Sequence, residues 1–156
     1  MNILSSKNQK GFTLIEILVV IGIIAVLAAV VLIAINPARQ FAQARNTQRT
    51  NDASALLNAI GQNIADNKGV IPSVITTTPT EIKKTGGIDL CSAIVPTYIP
   101  ALPMDPSLAS SAGITDCTSA YVTSYFVSKD ATTSRITITA NDTEIPPASA
   151  DITITR

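Results

Sequence analysis

From Ile17 to Ile35 the chain carries no charged side chain, and Gly22 is its only obvious helix weakener. At 1.5 Å per residue the run makes roughly 28 Å of helix, about the hydrocarbon thickness of a bilayer. It is apolar all round, so every side of it requires lipid or protein. A chain of 156 residues has room for one modest domain beyond such a segment.

Three roles compete for this run. A secretory signal fits the basic residues Lys7 and Lys10 and the small pair Ala28 and Ala29, but the apolar stretch continues well past that pair. A plain single-pass anchor is the second role. The third is a helix that first sits in a membrane and later packs against copies of itself. Charge does not orient the span, because Lys7 and Lys10 precede it while Arg39, Arg45 and Arg49 follow it. Glu16 bears on the choice. A carboxylate at the interface reaches headgroup water, whereas an acidic residue at the bilayer centre costs about 2.5–3.5 kcal/mol. The sharper reading gives Glu16 a cation able to follow it into an apolar setting. Lys7 and Lys10 could serve. A free α-amino group at Phe12, on the same helix, would serve better.

Composition narrows the chemistry. The formal net charge is zero, which points away from a nucleic-acid surface. There is no His, so the commonest general base and metal ligand is missing. Asp105, Asp116, Asp130, Asp142 and Glu144 are scattered across separate loops without EF-hand spacing. No metal, cofactor or catalytic residue is therefore assigned, and no nucleophile–base constellation supports an anchored enzyme. Cys91 and Cys117 form an even count, which in an exported chain favours one disulfide. Such a bridge stabilises by roughly 3–4 kcal/mol on the chain-entropy account. It also favours the C-terminal part lying outside the cell.

The stretch KGFTLIE, Lys10 to Glu16, resembles the prepilin signature of the type IV pilin superfamily: a short basic leader ending in Gly, then Phe, then apolar residues with Glu in fifth place. The resemblance implies a leader at residues 1–11, cut between Gly11 and Phe12 by a membrane prepilin peptidase, and N-methylation of Phe12. It also implies that Glu16 pairs with the Phe12 amine of a neighbouring subunit during assembly. Physics agrees, since a carboxylate and an ammonium that both lose water are stable only when paired. The implied partners are further copies of the chain in a helical homopolymer, the peptidase/methyltransferase, a pilus or secretion assembly platform, and membrane lipid before assembly. The implied location is the cytoplasmic membrane, single-pass with the head outside, and then a cell-surface or extracellular filament. The work of assembly would come from an ATPase elsewhere, since this chain has no P-loop. From another class, a membrane-anchored binding domain that never polymerises would keep residues 1–11 and leave Glu16 incidental.

The expected fold is α+β: a long N-terminal helix, with an apolar membrane half and an amphipathic half, packed on a small antiparallel β-sheet head. Residues 12–35 form the transmembrane and filament-core part. Pro37 removes a backbone donor and disfavours helix at Asn36, so a kink is expected there. Residues 36–67 continue the helix, with Phe41, Ala53, Leu56, Leu57, Ile60 and Ile64 as one buried stripe and Lys68 and Gly69 as stop signals. Arg39, Arg45 and Arg49 read as a solvated face, with Arg49 in reach of Asp52 for a local pair. Their other reading is contact with lipid headgroups or with acidic patches of adjacent subunits.

Residues 68–156 form the head. Its first part, VIPSVITTTPT, then TGG, then CSAIVPTYIPALPMDPS, reads as loops with short extended pieces. The segment Tyr98 to Ser107 resembles a leucine-proline-x-aspartate-proline stretch of major pseudopilins and many bacterial pilins, with Asp105 as the cap of a proline-stiffened loop. AYVTSYFVS, SRITITA and DITIT read as strands, KDATT as a hairpin turn, and Pro146–Pro147 as a break between strands. The isoleucines of both ITIT runs face the helix and the threonines face solvent. The resemblance leaves open a type IV pilin, serving adhesion, motility or DNA uptake, or a pseudopilin of a type II secretion system. Cys91 and Cys117 do not bracket the extreme C-terminal segment as in many Gram-negative pilins, so those pilins' receptor-binding loop does not carry over.

Overall fold

A computed structural model describes residues 11–109, 112–144 and 150–156. Residues 1–10, which make up most of the expected leader, and Pro146–Pro147 lie outside the described residues. The chain divides into two compact units, Met1–Gln40 and Phe41–Arg156.

The first unit holds α1, Leu14–Ile35, and none of its residues is buried. The helix ends because Asn36, which precedes a proline, leaves the right-handed region and takes φ 47°. Asn tolerates that left-handed conformation better than most residues. Pro37 then opens α2, Pro37–Asp66, at a position where its missing N–H costs nothing. The Asn36 side chain accepts the Arg39 amide at 3.3 Å, so one residue stops α1 and caps α2.

In the second unit α2 buries Arg49, Ala53, Leu56, Leu57, Ala59, Ile60 and Asn63. The spacing is that of one helical face. Phe41 does not belong to it and is 65% exposed, contrary to the periodicity reading. Arg49 is the first residue of α2 to be buried, so the stripe starts later than its first aromatic residue. The helix is closed by Lys68 and Gly69 at positive φ, with the Gly69 amide bonded to the Ile64 carbonyl at 2.8 Å.

The head is a four-stranded antiparallel meander in the order β1-β2-β3-β4. Its strands are β1, Thr80–Lys83, β2, Val122–Lys129, β3, Ile136–Ala140, and β4, Ile152–Thr155. A short helix, α3, Cys91–Ile94, lies between β1 and β2 in a stretch that composition alone renders as loop. Asp130 holds the β2–β3 turn by accepting the amides of Thr132 and Thr133 at 2.9 and 2.6 Å. Tyr125, Val127, Ile136, Ile138 and Ala140 join the α2 residues in one buried core, while Thr137 and Thr139 are half-buried on the other face.

Two local features let the sheet fit. Between Glu81 and Lys83 the β1–β2 register shifts, and Ser124 takes φ 61°. The buried Thr123 hydroxyl satisfies this bulge, donating to the Ile82 carbonyl at 2.8 Å and accepting the Tyr125 amide at 3.1 Å. At Gly87 a Cβ would stand 2.4 Å from the Glu81 carbonyl oxygen, so only glycine lets the chain return alongside β1.

Candidate functional site

The N-terminal candidate residues sit at the start of α1. Thr13 is the N-cap, and its hydroxyl accepts the Glu16 amide at 3.3 Å. The Glu16 carboxylate turns back to accept the Thr13 amide and hydroxyl, each at 2.8 Å. This is a reciprocal capping box. It brings the carboxylate to the level of the residue that follows Phe12. Glu16 therefore has neutral hydrogen-bond donors within its own chain, a partner that charge counting overlooked. The signal was available as Thr13-x-x-Glu16. The cap satisfies lone pairs but supplies no countercharge.

Beyond this cap, every side chain from Leu14 to Ile35 is exposed. Between Gly11 and Gln40 the charged side chains are Glu16 and Arg39 alone. Among the described residues α1 is the one helix long and apolar enough to cross a membrane.

In the head a polar cluster lies on the N-terminal half of the buried face of α2. Arg49 is wholly buried, which corrects its reading as part of a solvated face. Its guanidinium grips the equally buried Asp105 with two parallel bonds, Nε to Oδ2 at 2.7 Å and Nη2 to Oδ1 at 2.9 Å. Nη1 reaches Asn46 at 2.8 Å and Glu144 at 3.3 Å. Arg45 also bonds Glu144, at 2.5 Å. Asp52, suggested by spacing as the Arg49 partner, instead accepts the Tyr125 hydroxyl at 3.0 Å.

Asp105 has the capping role read from its loop as well, accepting the Ser107 amide and hydroxyl at 2.9 and 2.6 Å. Burial opposes its charge, but the bonds from Arg49 and Ser107 prevail and hold the carboxyl below the usual carboxylate range. Burial pushes Asp52 the other way, upward, with the Asp105 charge adding to it. The Arg49–Asp105 pair thus joins α2 to the leucine-proline-methionine-aspartate-proline segment. No periodicity argument could reveal it, because 56 residues separate the partners.

Cys91 and Cys117 are joined as a disulfide with Cα atoms 5.3 Å apart. A second polar group flanks it. Lys84 Nζ bonds Asp89 at 2.7 Å and the Cys117 carbonyl at 2.8 Å. Asp89 accepts the Tyr121 hydroxyl at 2.6 Å and the Cys91 amide at 3.2 Å. The bridge therefore ties α3 to the loop ahead of β2 at a point already held by charge. Asp116 and Asp130 are occupied within their own turns by neighbouring Ser and Thr groups. Among the described residues no three His, Cys, Asp or Glu side chains gather into a group that could hold a metal ion.

Residues 6–32 match the family described as "Prokaryotic N-terminal methylation motif". No curated protein and no solved structure matches the chain. The motif implies processing by a prepilin peptidase/methyltransferase. This methylation motif, the apolar α1 that carries it, and a small antiparallel head built on α2 match the type IV pilin and pseudopilin fold, that of a non-catalytic structural family.

Proposed function

We propose that the chain is a structural subunit of a type IV pilus filament, polymerising through α1 after removal of residues 1–11. The observation that carries this reading is that none of the residues of the 22-residue α1 is buried. Fully burying one Val, Leu or Ile contributes about 1.5–3 kcal/mol. A helix of such residues left in water would outweigh the ~5–15 kcal/mol net stability of an ordinary domain. Lipid supplies the missing environment before assembly, and the same helices of other copies supply it afterwards.

Cleavage after Gly11 creates an ammonium at Phe12 on the helix that bears Glu16. Among the described residues of one chain the carboxylate's hydrogen-bond donors are those of Thr13. A neighbour's Phe12 amine adds the countercharge, and the pair then sets the register between subunits, a role for which buried polar groups are suited. The filament so formed serves adhesion, motility or DNA uptake. A second reading, a pseudopilin of a type II secretion system, rests on the Leu102 to Pro106 segment that Arg49 clamps. Both readings use the same polymerisation chemistry and the same assembly platform class.

The decisive measurement is the mass and N-terminal sequence of the native protein. A start at Phe12 with one added methyl on its amine is expected. A mature pool that keeps Met1 would overturn polymerisation after cleavage and favour a non-polymerising anchored domain.

A further inference from the structure

Sequence offers three arginines just beyond the apolar run, and the structure separates them. Arg49 is buried on Asp105, and Arg45 is bonded to Glu144. Arg39 is exposed, and no side-chain partner for it is found among the described residues. It lies in the same compact unit as α1, four residues past Ile35, and is the only cationic side chain between Gly11 and Gln40.

We infer that Arg39 is the headgroup contact of the membrane-inserted chain, its guanidinium donating to the phosphodiester oxygens of a phospholipid on the leaflet where α1 emerges. This rests on the membrane placement of α1 and not on polymerisation. An arginine near the end of a spanning helix keeps its charge at the interface while its methylenes lie along apolar surface. The planar guanidinium matches two phosphate oxygens at once, which an ammonium cannot do. The local backbone suits the task. Asn36 stops α1 and accepts the Arg39 amide, so the residue is fixed in the first turn of α2. Glu16 and Arg39 are then the charged side chains nearest the apolar run, one at each end. Arg45 and Arg49 are withdrawn from this role by their carboxylates, which leaves the contact to a single side chain.

The test is a solid-state NMR measurement on the full chain. It is made with ¹³Cζ-labelled arginine and reconstituted in phosphatidylcholine–phosphatidylglycerol bilayers in phosphate-free buffer. Recoupling of ¹³Cζ to lipid ³¹P should attenuate a fraction of the signal near one arginine in five, since the chain has five arginines. Arg39→Gln should reduce that attenuation to background. Alkaline carbonate extraction of the same vesicles supplies the second readout. A chain that resists extraction yet shows no attenuation overturns the Arg39 contact alone. Attenuation that survives in Arg39→Gln overturns it too, by assigning the phosphate to another arginine. Release of the chain by carbonate overturns the membrane placement and the contact with it.

Discussion

In α1 and in the α2 face of the head, polarity and burial run in opposite senses. Leu14 to Ile35 are apolar but for Glu16 and none of them is buried, whereas Arg49 and Asp105 are charged and wholly buried. Each arrangement has a partner, but at a different level. The charges find theirs inside the chain, through a bidentate pair across 56 residues of sequence. The apolar helix finds none among the described residues of its own unit, and in the proposed function that partner is lipid or another copy. An exposed apolar surface of this length marks incompleteness of the chain on its own, and a buried ion pair marks completeness of the head.

Breaking each side of this contrast has distinct consequences. The largest effect is expected for Glu16→Ala, which removes the carboxylate proposed to meet a neighbour's amine. Membrane insertion should persist while filaments counted by electron microscopy fall at least tenfold. Normal filament numbers from this variant would end the pairing role of Glu16.

Within the head, Arg49→Met leaves Asp105 buried without its cation. Losing one member of a buried pair costs about 3–5 kcal/mol, so denaturant unfolding in detergent should show a loss of that order. Arg49→Met combined with Asp105→Leu should recover at least half of it, because an apolar replacement of the whole pair has no charge left to desolvate. If the double variant is as unstable as the single one, loop geometry and not electrostatics dominates. Reduction of Cys91–Cys117 opens a loop spanning 26 residues and should lower stability by roughly 3–4 kcal/mol. Cys91→Ser should show the same loss and no further response to reductant. An unchanged wild-type transition under reductant would show that the lysine–aspartate–tyrosine group beside the bridge suffices.

Acid sharpens the same comparison. Asp105 has a folded pKa below its unfolded value of about 4, so the stability it contributes is present above that value. It is lost as pH falls through the lower folded value. Asp52, whose pKa is raised, acts in the opposite sense and gains stability on protonation. The head of the wild type should therefore lose more stability between about pH 5 and pH 2 than the Arg49→Met, Asp105→Leu variant does. Equal losses would remove Asp105 from the acid response. The smallest effect is expected for Thr13→Ala, which deletes the N-cap. A cap is worth about 1 kcal/mol, so amide exchange in the first turn of α1 should accelerate roughly fivefold while the head is unaffected.

Several parts of this architecture are legible from local residues. Asn36–Pro37 places the helix interruption, since a residue before proline is pushed from the helical region and Asn tolerates the left-handed one. The alternation in both ITIT runs places β3 and β4 and chooses the face each turns to the core, buried in β3 and half-buried in β4. Thr13-x-x-Glu16 announces the capping box, although attention to charge alone passes over it. Other parts are not local. Phe41 carries the helical spacing of a core residue yet lies on the surface, because periodicity states which residues share a face and not how far the cover extends. Arg49 shows the converse, a charge on a buried face whose partner comes from a distant proline-rich loop.

Sequence alone determined the helix that needs an apolar surrounding, the prepilin-like start at Gly11 and Phe12, and the antiparallel character of the head. These depend on composition, spacing and backbone preference, which act within a few residues of one another. Tertiary structure alone decided which arginines are engaged. Arg39, Arg45 and Arg49 are chemically alike and close in sequence, but Arg49 grips Asp105, Arg45 bonds Glu144, and Arg39 has no side-chain partner among the described residues. That difference arises from which loops the sheet delivers to each turn of α2, and desolvation then makes a buried charge depend on the exact oxygen atoms it reaches.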